Sequence, residues 1–170
     1  MQKLRFNKYK EGYRKLKLQD LLINHSVKNK NLQVLLVESI SNKHGFIKQE
    51  EQFEDRVIAS KDLTNYTVID DCTFAYNPSR LNVGSIAYKE RGKERSVVSP
   101  LYVCFKTNEK LEDSYLWYWF QTSQFNRQRE LFTEGGVRDS LSFTNLKELQ
   151  ILLPINKEQI KIGSSIEILF

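Results

Sequence analysis

Two periodicities divide this chain. Up to about residue 107 the apolar positions come in short, branched or alternating runs; beyond residue 112 they recur at helical spacing. LQVLLVESI (Leu32–Ile40) reads as a strand, and SNKHG (Ser41–Gly45) supplies a turn that makes a hairpin with the following GFI. YTVI (Tyr66–Ile69) and CTFAY (Cys72–Tyr76) are two further strands with a turn at Asp70-Asp71. Val83–Tyr88 and Val97–Phe105 follow, joined by the charged stretch KERGKERS; within the latter Leu101, Val103 and Phe105 share one face and Tyr102 and Cys104 the other. The leucines of Arg14–Leu22 read as a short helix or a strand leading into one.

From Glu112 to Phe132 there is no Gly or Pro, and Tyr115, Leu116, Trp119 and Phe120 fall on one helical face. Acidic residues crowd its start, as the helix dipole favours, and Gly135-Gly136 stops it. A short helix and an apolar strand, Ile151–Leu153, lead to Pro154. Asn156 then reads as an N-cap, with Gln159 three residues on and Ile155 and Ile160 spaced as a hydrophobic staple. Ile162, Ile166 and Leu169 continue this last helix at spacings of four and three, a coiled-coil-type stripe that needs a partner: its own domain, a second copy, or further chain. The fold expected is α+β, a twisted, mostly antiparallel sheet with packed helices and a protruding C-terminal helix.

Composition adds limits rather than chemistry. With 170 residues, 40% hydrophobic and 28% charged, three prolines and seven glycines, the chain is an ordinary globular protein able to bury a core. No apolar run approaches the roughly 18 residues of a membrane span, so a cytoplasmic location is expected and no membrane partner. Cys72 and Cys104 sit inside strands without C-x-x-C spacing and are expected as buried free thiols. His25 and His44 are too isolated for a zinc site, and no metal or other cofactor is expected. HExxH, GxSxG, P-loop and GxGxxG patterns are missing, and Asn77-Pro78-Ser79-Arg80 lacks the second proline and the aromatic of a DNA methyltransferase loop. The expectation is therefore a protein without catalysis. The net charge of +5 is uneven: residues 1–31 carry +7 and residues 76–106 carry +4, which gives a basic side suited to a polyanion.

Four stretches in order resemble one family, the sequence-specificity subunits of type I restriction-modification systems. KLRFNKYKEGYRKLKLQDLL is similar to the family's start, VIASKDLTNYTVIDDCTFAYNPSRLNVGSIAY to its central stretch, VVSPLYVCFK to the strand pair that follows, and GGVRDSLSFTNLKELQILLPINKEQIKIG to its closing pattern. The resemblance implies double-stranded DNA as the polyanion, and a subunit in which two target recognition domains each read half of a split site. It also implies long spacer helices that dock methyltransferase subunits, and a restriction subunit in the same complex. Residues 1–153 match one recognition domain and residues 154–170 only the start of a spacer helix, cut short; the tail SSIEILF departs from the pattern.

Within that frame the polar loops acquire roles. Arginine reads guanine and asparagine reads adenine bidentately, while Ser and backbone N–H groups hold phosphates. The turn at Asn77-Pro78-Ser79 presents Asn77, Ser79, Arg80 and Asn82 for such contacts; alternatively it is only a turn, with Arg80 paired to a carboxylate that fixes it. Lys89, Arg91, Lys93 and Arg95 alternate through a loop and are expected on the phosphates. Lys43 and His44 at the hairpin tip, and Arg138 with Ser140, are further candidates. Two other readings stand beside this one. A non-DNA adaptor would assemble through Ile162, Ile166 and Leu169, the stripe that would also make a homodimer, and an RNA-binding module would use Trp117 and Tyr118 on single strands.

Overall fold

The computed structural model describes residues 12–49, 62–133 and 140–167, the side chains of Val83, Thr133, Ile166 and Glu167 excepted. In chain order these form β1 (Arg14–Lys17), β2 (Leu22–Asn24), β3 (Glu38–Ser41), β4 (Gly45–Lys48), β5 (Thr67–Ile69), β6 (Thr73–Tyr76), β7 (Ile86–Lys89), β8 (Ser96–Val98) and β9 (Val103–Thr107). Helices α1 (Asp113–Phe120), α2 (Ser123–Thr133) and α3 (Phe143–Glu148) follow, then β10 (Gln150–Leu153) and α4 (Asn156–Glu167). The ladders β1–β10, β3–β4, β5–β8, β6–β7 and β6–β9 are antiparallel, and the class is α+β. The chain divides into two compact units, residues 1–23 with 107–170, and residues 24–106.

In the first unit β1 pairs with β10, from Arg14 opposite Leu153 to Lys17 opposite Gln150. Leu18, Leu21, Leu149, Ile151 and Leu153 are buried, as are all four residues of the expected face of α1, Tyr115, Leu116, Trp119 and Phe120. Side chains of this size contribute about 1.5–3 kcal/mol each on burial, which decides the helix's orientation. The single helix expected over Glu112–Phe132 is two. Thr122 Oγ1 donates to Trp119 O at 2.7 Å and accepts the Phe125 N–H at 3.3 Å, so one hydroxyl ends α1 and starts α2. Phe125 then folds back on Trp119 and Phe120, with ring centroids 5.2 and 5.0 Å away.

The C-terminal helix does not protrude over its described length. Helix α4 lies against α1 at Gly163, where an added Cβ would stand 2.1 Å from Ser114 Oγ, an approach that only glycine permits. Ile162 is 1% exposed within this packing. Asn156 is the first helical residue rather than the cap, and its amide donates to the Glu112 carboxylate. Gln159 is buried and stitches the same corner: its Oε1 accepts the Glu112 N–H, and its Nε2 donates to Lys110 O and Pro154 O.

In the second unit β6 is central, between β7 and β9. Phe74 lies between Tyr88 and Phe105 at centroid distances of 4.6 and 5.2 Å. The turn at Asp70-Asp71 forms as expected, with Cys72 in the left-handed region at φ 61°. Two expected strands are shorter than their apolar runs. Val97–Phe105 breaks at Ser99-Pro100, so that β8 pairs with β5 while β9 pairs with β6; proline has no N–H to give a ladder. Leu32–Ile40 joins a ladder only from Glu38, because buried Asn29 clamps the loop before it: its Nδ2 donates to Val34 O and its Oδ1 accepts the Val34 N–H. That loop turns through Leu32 at φ 52°. Both cysteines are free thiols; Cys104 is buried, whereas Cys72 is only half-buried.

Candidate nucleic-acid interface

Hairpin β3–β4 turns at Asn42-Lys43-His44. Ser41 Oγ accepts the N–H groups of both Lys43 and His44 at 3.3 Å, which bends the tip and leaves both side chains exposed. The loop between β6 and β7 is also built by its own polar groups. Asn77 Oδ1 accepts the Ser79 N–H at 3.0 Å, the Arg80 N–H reaches Asn77 O, and the Ser85 N–H reaches Arg80 O. Leu81, 4% exposed, anchors it, and Gly84 at φ 85° closes it. Ser79, Arg80 and Asn82 are left exposed, and no carboxylate among the described residues pairs with Arg80. Asn77 differs: it is half-buried and its oxygen already accepts the Ser79 N–H, so it shapes the loop.

The two turns are neighbours. A Cβ at Gly84 would stand 3.8 Å from Asn42 O, and one at Gly45 3.9 Å from Ala87 Cβ. Lys43 and His44 therefore share one end of the second unit with Ser79, Arg80 and Asn82. Neither turn contains an Asp or Glu, so within the two turns the basic and hydrogen-bonding groups are not neutralised.

Arg91, Lys93 and Arg95 lie at the other end of β7, about 10 Å along the strand. They are exposed, but acids stand among them: Lys93 approaches Glu90 at 3.8 Å, and the Gly92 N–H is held by Asp71 Oδ1 at 3.1 Å. Next to Asp71, Asp70 is paired with Lys106 at 2.7 Å. Burial pushes the Asp70 carboxyl up, but hydrogen bonds from Lys106 and Thr73 and the charges of Lys106 and His25 hold it below the usual carboxylate value.

Lys89 is a correction. It is 4% exposed, and its Nζ meets Glu38 Oε2 at 2.6 Å and Ser96 Oγ at 3.1 Å, so it has no free charge to offer a phosphate. The alternation of β7 explains this, because Lys89 follows Ala87 onto the buried face while Arg91 lies beyond the strand. Arg138 and Leu169 lie outside the described residues, as does the Ile166 side chain. Ser140 is half-buried in the first unit. Ile162 is packed inside its own unit, so the expected assembly stripe loses its first member. Trp117 and Tyr118 are half-buried on α1. Glu38 and Ser96 were not anticipated; the signal was a lone acid inside the apolar run LLVESI. No helix of the described residues is long and apolar enough to cross a membrane.

A family model described as the type I restriction modification DNA specificity domain matches residues 23–170. No curated protein matches the chain. Two solved structures share its fold at 15% identity. One, from work described as "Structural basis underlying complex assembly and conformational transition of the type I R-M system", has a TM-score of 0.70 over 95% of this chain and 43% of that one. The other, the HsdS subunit from Thermoanaerobacter tengcongensis, has a TM-score of 0.69 with the same coverages. The chain thus spans less than half the length of these two structures.

Proposed function

We propose, for a chain that belongs to the family of type I restriction modification DNA specificity domains, that it reads one half of a split target site in duplex DNA through the two adjacent turns at 42–44 and 77–84. The observation that carries this reading is the approach of Gly84 to Asn42 O, which brings together two turns that contain no acid and on which Lys43, His44, Ser79, Arg80 and Asn82 are exposed. An exposed arginine without a carboxylate partner among the described residues is suited to bind the O6 and N7 of guanine, a contact worth about 1–3 kcal/mol of discrimination. Arg91, Lys93 and Arg95 hold phosphates further along the duplex; their neutralising neighbours suit them to general affinity rather than to base choice. Residues 1–153 form the recognition module and residues 154–170 begin a spacer helix. The chemistry belongs to methyltransferase and restriction subunits with which the protein assembles in the cytoplasm. Ile162 is covered within its own unit and offers no surface for a homodimer. Selection of bound duplexes from a random pool tests the reading: one consensus half-site is expected, and recovery of unselected sequence refutes it.

A further inference from the structure

Glu38, Lys89 and Ser96 close a triangle in the interior of the second unit. Lys89 Nζ donates to Glu38 Oε2 at 2.6 Å and to Ser96 Oγ at 3.1 Å, and Ser96 Oγ donates to the same Glu38 oxygen at 2.5 Å. The Lys89 and Glu38 side chains are 5% and 11% exposed, and Ser96 is fully buried. Lys89 Nζ also stands 5.6 Å from the centre of the Phe46 ring. One cluster thus takes a side chain from each of β3, β4, β7 and β8.

The backbone does not do this work. Among the described residues, strands β3 and β4 ladder only with each other, β7 with β6 and β8 with β5. The backbone ties between the hairpin's strands and β8 are an isolated bridge of Val37 with Val97 and the adjoining Val97 N–H to Leu36 O, both before β3 begins. Apolar contact of Ile40 and Phe46 with a cluster that includes Ala75 and Ala87 also seats the hairpin, together with a long hydrogen bond from the Ile40 N–H to the Tyr102 hydroxyl at 3.5 Å. Apolar contact is non-directional and tolerates sliding, whereas three mutually bonded polar groups have one geometry. A buried ion pair adds little net stability over an apolar pair of the same shape, so its distinctive product is position.

We infer that the Glu38–Lys89–Ser96 cluster is a positioning lock that sets where the hairpin tip stands beside the 77–84 turn, and so governs which bases the pair of turns discriminates. The inference rests on the DNA-reading assignment above. Asn42 lies four residues beyond Glu38, about 13 Å of strand. A swing of about 10° at the lock moves the tip by about 2 Å, which takes a base-edge hydrogen bond of about 3 Å out of range.

The test is the double variant Glu38→Leu/Lys89→Met in the full chain, which replaces the ion pair by apolar groups and leaves no charge unpaired. Three outcomes are expected together. The melting temperature and the salt dependence of binding stay at parental values, amide exchange in residues 42–48 of the free protein quickens about tenfold, and discrimination between the selected half-site and its single-base variants falls about tenfold. Parental exchange, or quickened exchange with parental discrimination, overturns the lock. If the double variant does not fold, Ser96→Ala removes one side of the triangle with the ion pair intact, and exchange and discrimination must shift in the same direction by about threefold. A parent that shows no base preference at all overturns the DNA-reading assignment and the discrimination role with it, while the exchange result still judges the hairpin's seating.

Discussion

The single substitution Lys89→Met separates a buried structural lysine from a phosphate contact. Met keeps the aliphatic stem but removes the ammonium from Glu38, 2.6 Å away, and from Ser96, 3.1 Å away. Breaking a buried pair by deleting one partner costs about 3–5 kcal/mol, because the remaining charge stays desolvated. Glu38 keeps the Ser96 hydroxyl and is 11% exposed, which puts the cost at the low end, about 3 kcal/mol. For a chain of 170 residues each kcal/mol lowers the melting temperature by about 2–4 °C, so a fall of about 6–12 °C is expected. Calorimetry reads this directly, and binding to a duplex at several salt concentrations gives the second readout. The salt slope should stay parental, since no phosphate contact is lost. A phosphate-binding lysine predicts the reverse pattern, a parental melt with the slope flattened by about 0.9. That result would refute the assignment of Lys89 to the interior.

Three further perturbations probe other parts of the account. Gly163→Ala should destabilise the first unit by about 1–3 kcal/mol, since its Cβ would meet Ser114 Oγ at 2.1 Å; a parental melt would mean that α4 does not lie against α1 in this way. A thiol reagent should label Cys72 in the native state and spare Cys104, whose thiol burial pushes up to about 12; equal labelling of both would contradict the packing of β9. Asp70→Asn should destabilise at pH 7 and lose its effect in acid. The folded-state carboxyl is held below its ordinary value, so its contribution is fully present above the unfolded pKa of about 3.9 and is lost as pH falls through the folded value. Thermal melts of both proteins from pH 7 to pH 2 should converge only at the acid end, and a constant gap would show that charge is not the cause.

Local patterning carried a good part of this fold. The apolar face of α1, the strands on either side of Asp70-Asp71 and the hairpin at 42–44 were legible because each is set by spacing and turn residues within a few positions. What escaped depends on distant partners. Thr122 reads as one more polar residue in a helix until its hydroxyl is seen bonding both ways along the chain. Val97–Phe105 reads as one strand until β5 and β6 claim its two halves. The basic stretch is the sharpest case, since Lys89, Arg91, Lys93 and Arg95 look equivalent by spacing. Only the continuation of β7's alternation past Ala87, together with Glu38 fifty-one positions away, separates the first from the others. The proximity of the 42–44 and 77–84 turns was likewise invisible, because Gly45 and Gly84 declare a turn but not what the turn approaches.

The most direct test of the account's claim is the base preference of Arg80→Ala, measured by duplex selection alongside a thermal melt. Arg80 is exposed, has no carboxylate partner among the described residues, and lies in the loop that abuts the hairpin tip. The expected result is a melt within about 1 °C of the parent, as for a surface substitution, and a selected half-site that loses its requirement for guanine at one position, by about 1–3 kcal/mol. An unchanged half-site with a lowered melting temperature would show that Arg80 holds the loop and that the bases are read elsewhere.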